Sequence, residues 1–211
     1  MEKPCIVYIH GASSTSTSFN FISRMLPNHT RLFLEYDSGT PIKTIVNNLY
    51  TLLPRTVPLF LIGHSLGGVI ATLLSYAEKY DANVLQPVQI QKIVAISSPF
   101  GGSRAANYLR WMYPAYGLFD NVATNTVAMS AIKKFGAIFP TLSIVSTGGN
   151  TPLIRGSNDG VLSVDSQSAL ANCVIKEFKL NHFEVLLSDK VVSEINGFLQ
   201  LSSDVEETIP E

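Results

Sequence analysis

The stretch Leu59–Leu74, LFLIGHSLGGVIATLL, constrains the fold more than any other. An apolar run leads into Gly63-His64-Ser65-Leu66-Gly67, and a second apolar stretch follows with no linker. The first run is short and bounded, as a buried strand is. The second continues to Tyr80 with helical period. A strand must therefore turn into a helix at a single serine. Glycines two places before and two after that serine remove the side chains that would crowd so tight a turn.

The rest of the chain repeats the alternation. Runs rich in Val, Ile, Leu and Phe at 4–10, 31–36, 57–64, 90–98, 141–147 and 174–180 read as strands buried on both faces of a parallel sheet. Between them, Phe19–Leu26, Pro41–Leu53 and Leu66–Tyr80 read as helices, and Val191–Leu201 as one that follows the last strand. The predicted fold class is thus α/β, a doubly wound, mostly parallel sheet of about six strands in a single domain over 1–211. With 46% hydrophobic and 15% charged residues in 211, the chain has ample material for a buried core.

Two segments break the rhythm. Residues 101–135 are too long for one crossover helix and concentrate aromatic residues, so they read as a helical lid or cap insertion. Within it Tyr108, Trp111, Met112 and Tyr113 are candidate substrate-binding residues for an apolar acyl or alkyl group. An extra helix packed on the core is the plain alternative. Gly148–Ser163 reads as a loop, and 202–211 as a flexible acidic tail.

A net charge of −1 gives no electrostatic reason to expect nucleic acid. No basic region followed by a long apolar segment opens the chain, and no run approaches a membrane span, so a cytoplasmic setting is expected. Cys5 and Cys173 have no metal-ligand spacing and read as buried, reduced thiols. No metal or organic cofactor is expected. Membrane contact is expected only through 101–135, and the oligomeric state is left open.

Gly-x-Ser-x-Gly in a strand–turn–helix setting is the nucleophile-elbow pattern, which makes Ser65 the candidate nucleophile. A serine hydroxyl needs a base, and the base needs an orienting acid, both downstream of the serine in this setting. His10, His29 and His64 precede or adjoin Ser65, which leaves His182, after the last predicted strand, as the base. The acid should leave the end of strand 141–147. Asp159, in Asn158-Asp159-Gly160, is the first choice; Asp165, which could instead cap the segment from Ser166, is the second, and Asp120 a remote third. Oxyanion donors are expected from the backbone N–H of Leu66 and, in the loop after the first strand, of Ala12, with a Ser13 or Ser14 hydroxyl as a possible addition.

With these pieces in place, residues 4–200 resemble the α/β-hydrolase superfamily, and within it the small bacterial serine lipases and esterases. The resemblance lies in CIVYIHGASSTSTSFNFI, GHSLGG, ISSPFGGSRAA, GSNDGVLSVDSQSA and NHFEVL. It implies a minimal α/β-hydrolase fold, a Ser65–Asp159–His182 triad and oxyanion N–H groups from Ala12 and Leu66. It also implies hydrolysis of a small-molecule or lipid ester through an acyl-enzyme. Acyl transfer or thioester cleavage by the same triad is the alternative, and a non-catalytic binding protein on the scaffold a third reading.

Overall fold

The computed structural model describes residues 3–80, 87–102, 127–152 and 154–201. Six strands form one sheet: β1 (Cys5–Ile9), β2 (Thr30–Leu34), β3 (Pro58–His64), β4 (Gln89–Ile96), β5 (Thr141–Ser146) and β6 (Val174–Phe178). Their spatial order is β2-β1-β3-β4-β5-β6, and every neighbouring pair is parallel. All six expected strands are present, and the sheet is wholly parallel among the described residues.

The alternation of side chains along the strands builds a core on each face of the sheet. On one face Val7 and Ile9 of β1, Leu59 and Leu61 of β3 and Ile93 of β4 meet three helices: α2 (Ile42–Leu52), α3 (Leu66–Tyr80) and α4 (Val127–Phe135). On the other, Ile6, Tyr8, Phe60, Ile62, Val94, Ile96 and Ile144 meet α1 (Asn20–Met25) and the last helix, Asp189–Leu199. A short helix, α5 (Val164–Gln167), lies between β5 and β6, so the last helix is α6.

Local sequence explains the helices. Ile42, Ile45, Val46 and Leu49 recur at helical spacing and are the buried stripe of α2, and Pro54 lies just past its end. Helix α3 is buried almost all round, as its apolar sequence requires. Helix α4 takes the C-terminal part of the aromatic segment 101–135. It packs on α3 through buried Met129 and Ile132 and through Phe135, whose ring lies 5.7 Å from Tyr76 and 5.1 Å from Tyr80. This portion therefore behaves as a core helix. Tyr108, Trp111, Met112, Tyr113 and Asp120, and the tail 202–211, lie outside the described residues.

Cys5 is buried and Cys173 half-buried, both free thiols; Cys173 Sγ donates to the Leu170 carbonyl. Among the described residues no helix is long and apolar enough to cross a membrane.

The strand order places the site. The chain goes from β1 to β2 on one side and then jumps back to β3 on the other side of β1, so the loops leaving β1 and β3 diverge. In open α/β sheets that divergence opens a crevice beyond the carboxyl ends of the strands. Ser65 follows β3 there, and His10–Ala12 follow β1.

Candidate active site

Ser65 stands between β3 and α3 with φ of 53°, in the left-handed region that a non-glycine residue occupies at a cost of roughly 1–2 kcal/mol. The turn is held by the Ser65 N–H donating to the Ile96 carbonyl (2.8 Å) and the Gly68 N–H donating to the Ser65 carbonyl (3.1 Å). The flanking glycines are required by close approach: a Cβ on Gly63 would lie 2.2 Å from the Gly67 carbonyl oxygen, and one on Gly67 1.9 Å from that of Ile9. The strain is thus imposed by packing on both sides, and Ser65 itself is only half-buried. Its carboxyl-side neighbour Leu66 begins α3, where unpaired N–H groups and the helix dipole favour negative charge.

The loop after β1 is fixed rather than flexible. His10 Nδ1 donates to the Gly11 carbonyl (2.7 Å), and the Tyr36 ring stacks on His10 at 4.3 Å while its hydroxyl donates to the His10 carbonyl (2.8 Å). Glu35 Oε2 lies 3.1 Å from His10 Nε2, and its Oε1 accepts from the Ser16 N–H at 2.9 Å. Ser38 Oγ accepts from the N–H of Ser13, itself at φ of 51°. These ties bring Gly11 against the elbow: a Cβ there would stand 3.1 Å from that of Ser65. The N–H groups of Ala12 and Leu66 donate to no acceptor among the described residues, so both remain available beside Ser65. Ser14 Oγ turns instead to the Thr15 carbonyl.

Asp159 and His182 meet in a buried pair. His182 Nδ1 donates to Asp159 Oδ2 at 2.6 Å, and the two residues are 3% and 1% exposed. Asp159 sits in a turn made by Gly160 at φ of 95°, and its Oδ1 accepts the N–H groups of Val161 (2.9 Å) and Leu162 (2.6 Å). The His182 N–H donates to the Asp159 carbonyl (3.0 Å), so main chain and side chain are both paired. Asn181 caps the following turn by accepting from the N–H groups of Phe183 and Glu184. With its Nδ1 proton committed to the carboxylate, the imidazole keeps Nε2 as its basic atom.

His64 joins this pair to the elbow. It is fully enclosed, and its Nε2–H donates to the His182 carbonyl at 2.9 Å, with the two rings 4.7 Å apart. Burial, reinforced by the neighbouring His182, pushes the His64 pKa down to about 3 and keeps the ring neutral. Phe183 is exposed and stands edge-on to the His182 ring at 5.2 Å.

Asp165 is exposed on α5, and the cap of that helix is Ser163, whose Oγ accepts from the Ser166 N–H at 3.2 Å. The alternative role of Asp165 as the cap of this segment is corrected: the Ser163 hydroxyl, two residues earlier, supplies the cap. Gln167 and His64 also touch the Asp159–His182 pair, and neither carries a local signal in the residue order. Gln167, fully buried, donates through Nε2 to Asp159 Oδ2 at 3.1 Å. Among the described residues no three His, Cys, Asp or Glu side chains converge as metal ligands would.

The fold is shared with hydrolytic enzymes. The chain superposes on Bacillus licheniformis lipase BlEst2 with a TM-score of 0.66 at 15% identity, covering 95% of this chain and 93% of that one. It superposes on the type II thioesterase BorB of the borrelidin biosynthetic cluster with a TM-score of 0.64 at 15% identity, over the same shares. A lipase-esterase related protein from Clostridium acetobutylicum gives 0.59 at 17% identity, over 92% of this chain and 94% of that one. The family model described as PGAP1-like alpha/beta domain matches residues 18–184, most of the chain. The chain therefore belongs to the PGAP1-like alpha/beta domain family.

Proposed function

We propose that the protein is a serine hydrolase of carboxylic esters, working through an acyl-enzyme on Ser65. The observation that carries this reading is the buried 2.6 Å contact between His182 Nδ1 and Asp159 Oδ2, tied by His64 to the strained turn that presents Ser65.

In this mechanism His182 Nε2 takes the Ser65 Oγ proton as the oxygen attacks the ester carbonyl. The Ala12 and Leu66 N–H groups stabilise the oxyanion of the tetrahedral intermediate. The imidazolium, held by the Asp159 carboxylate, then gives its proton to the departing alkoxide, and the acyl group stays on Ser65. A water repeats the sequence: His182 takes its proton, the hydroxide attacks the acyl-enzyme, and Ser65 leaves reprotonated as the carboxylic acid is released. Exposed Phe183, edge-on to His182, offers apolar surface to the substrate.

Thioester cleavage is the second reading, favoured by the likeness of the fold to a type II thioesterase. The test is a panel of p-nitrophenyl esters from acetate to palmitate beside acyl thioesters of matched chain length, on wild type and Ser65→Ala. Ester turnover lost in the alanine variant supports the proposal. Turnover of thioesters alone moves the reading to a thioesterase, and turnover of neither by the wild type refutes both.

A further inference from the structure

Four hydrogen bonds converge on the Asp159 carboxylate. Two backbone N–H groups hold Oδ1, while Gln167 Nε2 and His182 Nδ1 share Oδ2. The glutamine amide has one possible orientation. Its Oε1 accepts the Ser146 N–H at 2.8 Å, and its Nε2 donates to the Ser146 carbonyl and to Asp159 Oδ2, both at 3.1 Å. Turning the amide over would face oxygen against two acceptors and N–H against N–H. The backbone carrying Gln167 is also pinned: Ser163 caps α5, the Gly101 N–H donates to the Ser166 carbonyl (2.8 Å), and Ser166 Oγ donates to the Gly102 carbonyl (3.0 Å).

We propose that Gln167 is a positioning residue, whose side-chain amide fixes the direction and the charge of the Asp159 carboxylate and, through it, the proton on His182. The proposal rests on the reading above for the part the pair plays in turnover. A donor on Oδ2 spreads the carboxylate charge and keeps that oxygen in the plane of the imidazole. Without it the carboxylate is less well satisfied and pulls harder on the histidine, so the pair holds its proton to higher pH. Among the described residues, His64 is the other titratable group touching the pair, and it is neutral. Exposed Glu184 accepts from the Asn181 N–H, and Asp165 is exposed on α5.

The test is an NMR titration of the His182 ring in wild type, Gln167→Met and Gln167→Glu, which needs no substrate, with ester turnover measured alongside. In Gln167→Met, which keeps the chain length and removes the donor, the midpoint is expected to rise by about one pH unit. In Gln167→Glu it is expected to rise further, because a second carboxylate faces Oδ2. The acid limb of kcat/KM should move with each midpoint. Midpoints equal to wild type, or loss of the fold in both variants, overturn the proposal and leave Gln167 a structural residue. A wild type that turns over no ester while the midpoints move as stated refutes the functional reading alone.

Discussion

The imidazole of His64 and the main chain of His182 lie 118 residues apart in sequence and are joined by a 2.9 Å hydrogen bond. His64 precedes Ser65 on the elbow, so this bond seats the loop of the proposed general base, His182, on the strand that leads into the proposed nucleophile, Ser65. Replacing His64 by Phe keeps a ring in the cavity and leaves the His182 carbonyl without its donor, at a cost of about 1–3 kcal/mol in stability. Ester turnover is expected to fall mainly in kcat, because the base loses its seat while the substrate surface is untouched.

The same histidine makes stability depend on pH. Its folded pKa of about 3 lies below its unfolded value, so the unfolded chain takes up the proton first as pH falls. The contribution of the neutral ring is complete above about pH 6.5 and declines toward pH 3, by up to about 1.4 kcal/mol per pH unit. Urea unfolding at pH 7 and pH 5 should show a larger loss of stability in wild type than in His64→Phe.

Asp159→Asn keeps the shape of the acid and removes its charge. The expected outcome is a fall in kcat of about 10³- to 10⁴-fold with the fold intact by circular dichroism, because an uncharged partner no longer selects the Nδ1–H tautomer. Asp165→Asn, on the exposed side of α5, should leave turnover unchanged.

Gly67→Ala tests the packing of the elbow. The added methyl would stand 1.9 Å from the Ile9 carbonyl oxygen and 2.6 Å from that of His10, both main-chain atoms that cannot swing aside. A loss of about 3 kcal/mol or more is expected in thermal or urea unfolding. Gly197→Ala, in α6 with nothing within 4 Å of the new Cβ, should instead gain about 0.5–1 kcal/mol from helix propensity.

Much of this architecture is legible in the residue order, for a physical reason. Central strands of a parallel sheet are buried on both faces, so β1 appears as the unbroken apolar run CIVYI, and β5, TLSIVS, is buried throughout although hydroxyls interrupt its apolar residues. Of the edge strands, β6 is largely exposed and β2 is exposed only at Thr30 and Arg31; the sequence reading of β2 runs to residue 36, past its end at Leu34. Ser65, Asp159 and His182 carry their signals locally, in a glycine-flanked turn, an Asn-Asp-Gly turn and a position after the last strand. Gln167 and His64 carry none. Their partners, Asp159 and the His182 carbonyl, come within reach only once β3, β5 and the loops around them are assembled. The Asp165 cap failed because Ser163 already supplies an oxygen to the Ser166 N–H. In the segment 101–135, the aromatic stretch behind the expectation of a cap lies outside the described residues, while at its C-terminal end Met129, Ile132 and Phe135 follow helical spacing and pack into the core against α3.

The proposed roles of Ser65, His182 and Asp159 as nucleophile, base and acid are tested most directly by a fluorophosphonate, which reacts with a serine only where a neighbouring base activates it. Mass spectrometry of the labelled, digested protein should find one adduct, on Ser65, formed in wild type and abolished by either Ser65→Ala or His182→Ala. An adduct on another residue, or an unlabelled wild type under conditions that label a known serine esterase, would contradict the account.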